Sequence, residues 1–141
     1  MRALAIGLII LLSGSADAAA ADAPNLIGNW TRSDYSSATV GESPGYAAAV
    51  KPSLAHGADQ GTWKMRIDAQ DGPAFSGTLT GPSGRRQIIV GASAQDGMHF
   101  VFSSQGDTGS GTADGDALEY CWTISSARVV AAGCATFKRA K

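Results

Sequence analysis

The 141-residue sequence predicts an all-β fold, an eight-stranded antiparallel up-and-down β-barrel with one hairpin disulfide. Three observations carry that expectation. The chain holds 18 Gly, and its apolar residues fall in short runs that show no helical period. A turn tetrad, Ala-Gln-Asp-Gly, stands at 69–72 and again at 94–97, with Ala113-Asp114-Gly115 as a near third copy. The two cysteines, Cys121 and Cys134, lie on runs that a tight loop can fold against each other.

The elements follow in chain order. Met1-Arg2, the apolar run Ala3 to Leu12 and the small residues Ser13 to Ala18 make residues 1–18 a secretory signal peptide, with cleavage after Ala18 or Ala20. An N-terminal segment, 19–27, then leads into a barrel domain over 28–141. About 120 residues remain after cleavage, enough for one domain and one core. No Cys stands near the junction, so no lipid anchor is expected there. No second stretch of eighteen apolar residues exists, which argues against a membrane-embedded protein. Residues of bacterial type in an exported chain point to the periplasm or the medium.

Extended runs are expected at 28–35, 62–69, 74–80, 86–94, 98–104, 109–113, 117–125 and 129–139. The connection 36–61 is long for a loop, and long loops serve as lids or linkers. Within it Pro44 and Pro52 bound Tyr46 to Val50, which could add a helical turn or an irregular strand. A three-residue hairpin loop ending in a left-handed Gly suits the repeated turns. Across 70–72 it sets Ala69 opposite Pro73, Ile67 opposite Phe75, Met65 opposite Gly77 and Trp63 opposite Leu79. Lys64, Arg66 and Asp68 then share the opposite, solvent face, the reverse of an outer-membrane barrel. Across 95–97 the same loop sets Ala94 opposite Met98, Ala92 opposite Phe100 and Val90 opposite Phe102. In the last hairpin, placing Cys121 opposite Cys134 pairs Trp122 with Gly133, Ile124 with Ala131, Tyr120 with Ala135 and Leu118 with Phe137. Directly opposed positions bring the two sulfurs within bonding reach, and an exported chain is the setting in which they oxidise.

Composition removes several functions. With 11 basic and 12 acidic residues the net charge is −1, which gives no electrostatic footprint for nucleic acid. His56 and His99 are the only histidines, and neither has Cys, Asp or Glu at ligand spacing, so no metal site is expected. A Ser-His-Asp set could be assembled from His99, Asp107 and one of many Ser, but no pattern places them together. Phosphate loops and dinucleotide fingerprints are absent, so neither an enzyme nor a cofactor is expected.

Gly28-Asn29-Trp30 opening the first strand and Arg139 ending the last resemble the calycin superfamily, in which a Gly-x-Trp motif and a late basic residue close one barrel end. That resemblance implies Arg139 lying over the Trp30 ring, with Gly28 beside them. Trp30 followed by Ser36, Trp122 in the seventh strand, and Thr136-Phe137-Lys138 in the eighth are similar to avidin. Two positions depart from it. The acidic residue expected before Thr-Phe is Ala135, and Arg32 stands where a polar amide belongs, which argues against biotin. The long 36–61 connection is more like the lid of lipocalins and fatty-acid-binding proteins.

Trp63, Phe100, Phe102, Tyr120 and Trp122 are expected to project inward with Met65, Ile67, Leu79, Ile88, Val90 and Met98. They form either a packed core or the wall of a cavity for a small apolar molecule at the loop-rich end. Inward Ser110 and Thr112, with Tyr120 and with Tyr46 from the long connection, would supply its polar handles. A second expectation is an exported inhibitor whose residues 19–26 enter the cleft of a secreted protease.

Overall fold

The computed structural model describes residues 23–43, 46–59 and 62–141. The signal-peptide expectation and residues 19–22 lie outside the described residues. Among the described residues nine strands alternate with short connections: β1 (Gly28–Ser43), β2 (Tyr46–Ala58), β3 (Lys64–Asp71), β4 (Ala74–Thr80), β5 (Arg86–Ser93), β6 (His99–Ser104), β7 (Thr108–Asp114), β8 (Ala117–Ser125) and β9 (Val129–Arg139). All neighbouring strands are antiparallel, and β1 pairs with both β3 and β9, which closes β1 and β3–β9 into an eight-stranded barrel. Closure removes the two free edges that an open sheet would expose.

The 36–61 connection is the principal correction. Most of it is strand, because β1 continues to Ser43 and folds back as β2, pairing from Asp34 with Ala58 up to Ser43 with Tyr46. β1 uses its length twice. Gly28 to Thr31 pair with β3, while the part beyond Asp34 pairs with β2 on that edge and with β9 on the other. The result is a wall that prolongs the barrel sheet at this end, with β2 as its edge strand and β9 along the other side of β1 as far as Gly41. Its composition hid it, since Ala, Gly and two Pro have low strand propensity. Pro52 is tolerated because β2 is an edge strand and its register is irregular between Ser53 and Ala49. Gly41 is required where the wall bends: it has φ +95°, and a Cβ there would lie 2.0 Å from the Arg128 carbonyl oxygen.

The last hairpin has the expected register, with Leu118 opposite Phe137, Tyr120 opposite Ala135, Trp122 opposite Gly133 and Ile124 opposite Ala131. Cys121 and Cys134 face each other and are bonded. The repeated turns differ from one another and from the expectation. At the first, Asp71 pairs with Ala74 around Gly72-Pro73, an odd displacement from the expected pairing that would reverse the faces. A bulge between Ile67 and Ala69 adds one more residue and restores them, so Met65 lies opposite Leu79 and Ile67 opposite Gly77, all inward.

The second turn has no such repair. Ser93 pairs with Phe100 and Gly91 with Phe102, one residue away from the expected register. Ile89 is buried, and Ile88, Val90 and Met98, expected inside, are 61%, 52% and 53% exposed. The loop is longer than expected because Asp96 holds it open: its Oδ1 accepts the N–H of Met98 and of His99, and its Oδ2 lies 2.5 Å from His99 Nδ1. Those backbone N–H groups of His99 and Met98 hold the Asp96 carboxyl low, at about 2. In β7 the inward positions are Gly109, Gly111 and Ala113, so Ser110 and Thr112 stand on the outer side. Phe102 and Phe100 lie across Gly109 and Gly111, where side chains of any size would collide with the rings.

The core is a column of rings. Phe75 meets Phe100 edge-on at 5.9 Å, Phe102 stacks on Tyr120 at 3.9 Å, and Tyr120 touches Phe137 at 5.8 Å. Trp30, Leu26 and Leu118 fill the base. At that base the residues implied by the calycin resemblance meet. Arg139 sits 4.1 Å over the Trp30 ring, and its guanidinium donates to the carbonyls of Ile27 (2.6 Å) and Asn25 (2.8 Å) and to Asp116 (2.9 Å). Trp30 Nε1 donates to the Leu26 carbonyl at 3.0 Å. Gly28 has φ +139°, and a Cβ there would lie 3.0 Å from Arg139 Nη1. The barrel is therefore shut at the end where its chain begins and ends.

Candidate functional site

The opposite end receives the connections 81–85, 105–107 and 126–128 and the β1–β2 wall. There the described residues form a half-open cavity of about 30 Å³, lined by Arg32, Trp63, Leu79, Asp107, Tyr120, Trp122, Ala135 and Phe137. A volume of this size admits one or two waters, or the head of a larger molecule. Apolar ligand pockets of the kind expected from the sequence are about ten times larger. The aromatic column fills that space here, so the bulk of the interior is core.

The mouth is organised around Arg32. Its side chain lies 4.4 Å over the Tyr35 ring and 5.4 Å over the Trp63 ring, and its Nε forms an ion pair with Asp59 Oδ2. Asp59 follows β2 and is held in place by Thr62, whose N–H and hydroxyl donate to its Oδ1 at 3.0 and 2.7 Å. Burial pushes the Asp59 carboxyl up, but the Thr62 hydrogen bonds and Arg32 outweigh it and keep it below the usual carboxylate range. The backbone reinforces the seam, since the Arg32 N–H donates to the Trp63 carbonyl and the Asp59 N–H to the Ser33 carbonyl. Arg32, a departure from the avidin pattern, thus serves as the clamp that fixes Trp63 over the cavity.

Inside, the polar inventory is incomplete. Asp107 is nine-tenths buried, and its Oδ1 has no hydrogen-bond partner among the described residues. Desolvation by burial raises its carboxyl above the usual range, against a smaller opposing effect of its own backbone N–H. Trp122 is 6% exposed, and its Nε1 is likewise unpaired among the described residues. Buried polar atoms are nearly always hydrogen-bonded, and each one left alone costs about 1–3 kcal/mol. Asp107 and Trp122 both line the same small space, and each carries a buried polar atom that is unpaired among the described residues.

Of the residues singled out from the sequence, Trp63, Tyr120 and Trp122 come together here. Phe102 supports the site from below by stacking on Tyr120, and Phe100 lies nearer the closed end, beside Phe75. Ser110 and Thr112 are on the outer surface and cannot reach the cavity. The Tyr46 side chain lies outside the described residues. Sequence reasoning passed over Asp107, which it weighed only as a partner for His99; His99 instead faces outward on Asp96. The available signal was an acidic residue in a three-residue connection at the end where the other long loops gather. The segment proposed as an inhibitory trunk is tied down from Pro24 onward: Gln70 donates to the Pro24 carbonyl and accepts the Leu26 N–H, both at 2.8 Å, and Leu26 is buried.

Comparison with protein-family models, with curated proteins and with solved structures finds no match to this chain.

Proposed function

We propose that this protein is an exported, calycin-like binding barrel that takes the polar end of a small amphipathic molecule between Trp63 and Trp122. The observation that carries this reading is that two residues lining one cavity, Asp107 and Trp122, each hold a buried polar atom, Oδ1 and Nε1, unpaired among the described residues. A ligand offering one donor and one acceptor would satisfy both, and its apolar body would rest at the mouth on Trp63 and Leu79. The Arg139 and Trp30 arrangement at the base supports the calycin-like assignment, and the Cys121–Cys134 bond is compatible with export.

The test is a series of probes of one chain length, 1-hexanol, hexanamide and hexylamine, titrated into the oxidised protein. Amide and indole NMR shifts around Asp107 and Trp122, with no shift at Trp30 Nε1, are expected for at least one probe at millimolar concentration. Silence from all three would overturn the reading.

A further inference from the structure

The charges around the mouth select among those probes. Arg32 is the one cation among the cavity-lining residues, and its charge is cancelled by Asp59 in direct contact. Asp107 remains, with no cation beside it among the described residues. With Asp107 ionised the local sum is one negative charge, which burial disfavours unless a cation arrives. Around it stand the rings of Trp63, Tyr120, Trp122 and Phe137, whose faces are negative and attract cations.

Resting on the reading of the mouth as a ligand site, we infer that the polar end it accepts is a primary ammonium group accompanied by a hydrogen-bond-accepting oxygen, an amphipathic amino alcohol. The ammonium donates to Asp107 Oδ1, and the oxygen accepts from Trp122 Nε1. Size excludes the alternatives. A cavity of about 30 Å³ suits the compact ammonium, whereas a trimethylammonium head has three methyl groups to seat in the same space. A carboxylate head would meet Asp107 as a like charge in a desolvated site, which is strongly disfavoured. An ammonium also reverses what burial does to Asp107, since an opposite charge at hydrogen-bond distance favours the ionised form.

The experiment uses isothermal titration of the full oxidised chain with 2-amino-1-hexanol, hexylamine, 1-hexanol, hexanamide and hexyltrimethylammonium. The amino alcohol is expected to bind tightest, hexylamine next, and the trimethylammonium not at all. Asp107→Asn keeps the shape and an accepting oxygen but removes the charge. It is expected to weaken both amines by about tenfold or more, the range of a charge-assisted hydrogen bond between two ions, and to weaken 1-hexanol and hexanamide by a smaller factor. Trp122→Phe is the second variant: it should abolish the advantage of the amino alcohol over hexylamine while keeping hexylamine ahead of 1-hexanol. Equal binding of amines and neutral probes, or amine binding indifferent to Asp107→Asn, overturns the ammonium assignment and leaves the mouth as a ligand site. No binding of any probe overturns both.

Discussion

Substituting three consecutive residues of β7 tests the face assignment on which the interior depends. In Gly111→Ala the added Cβ would lie 2.0 Å from the Glu119 carbonyl oxygen and 2.4 Å from Phe100 Cζ, where about 3.5–4.0 Å is normal contact. In Gly109→Ala it would lie 1.9 Å from the Cys121 carbonyl oxygen and 2.6 Å from Phe102 Cζ. Neither neighbour yields easily: the carbonyls belong to β8, which is paired on both edges, and the Phe102 ring is held in its stack on Tyr120. Forcing one methyl into such a place costs about 1–3 kcal/mol, and more where backbone must move. Ser110→Ala, between the two, changes an exposed outer-face side chain and is expected to stay within about 0.5 kcal/mol of the parent. Urea unfolding followed by tryptophan fluorescence and near-ultraviolet circular dichroism, at constant m-value, reads the difference directly. For a domain of this size each kcal/mol corresponds to roughly 4 °C in Tm. Glycine variants as stable as Ser110→Ala would refute the inward placement of Gly109 and Gly111, and with it the ring column.

Reducing the Cys121–Cys134 bond, or replacing both residues by Ala, closes no other loop and is expected to cost about 3 kcal/mol by the loop-entropy argument, measured as a drop in urea midpoint with and without reductant. Arg139→Gln removes the cation over Trp30 and the donors to Asn25 and Ile27; a loss of about 2–3 kcal/mol is expected, and faster amide exchange at the barrel base should accompany it. Asp107→Asn should stabilise the free protein near neutral pH. The native carboxyl binds its proton more tightly than the unfolded one, so wild-type stability falls as pH rises through the raised native pKa. The gain in the variant should therefore vanish at pH 3 and reach its plateau above that pKa, and a gain that grows toward acid would contradict the placement of Asp107. The Asp96 carboxylate, followed by carbon NMR, is expected to titrate at about 2, since it accepts the N–H groups of His99 and Met98. A midpoint near 4 would show the loop to be open in solution.

Local patterns foretold a great deal of this molecule. Eight runs in succession, the opposed cysteines with Trp122 over Gly133, and the Gly28-Trp30-Arg139 closure all appear where the sequence places them. Each depends on neighbours close in sequence or on residues with few structural uses, such as an inward Arg over an indole. The candidate site was half legible. Trp63, Tyr120 and Trp122 alternate with polar residues and announce an inner face, but the groups that give the cavity its character, Arg32 in β1 and Asp59 and Asp107 in two connections, lie far apart in the chain.

From the amino acids alone came the barrel class and its covalent staple, because alternation and opposed pairs are written every second residue along single hairpins, while the closed base was implied by the calycin resemblance. Tertiary packing decided the rest. In β5 the run Ile88-Ile89-Val90 is apolar on both faces, and the need of the Phe75 ring for a bare Gly91 selects the register in which Ile89 is buried. The bulge at Asp68 and the conversion of 36–58 into a wall are decided in the same way. A strand's register is a parity, and parity along these runs is settled by which partner can tolerate a ring, a choice made between strands and not within one.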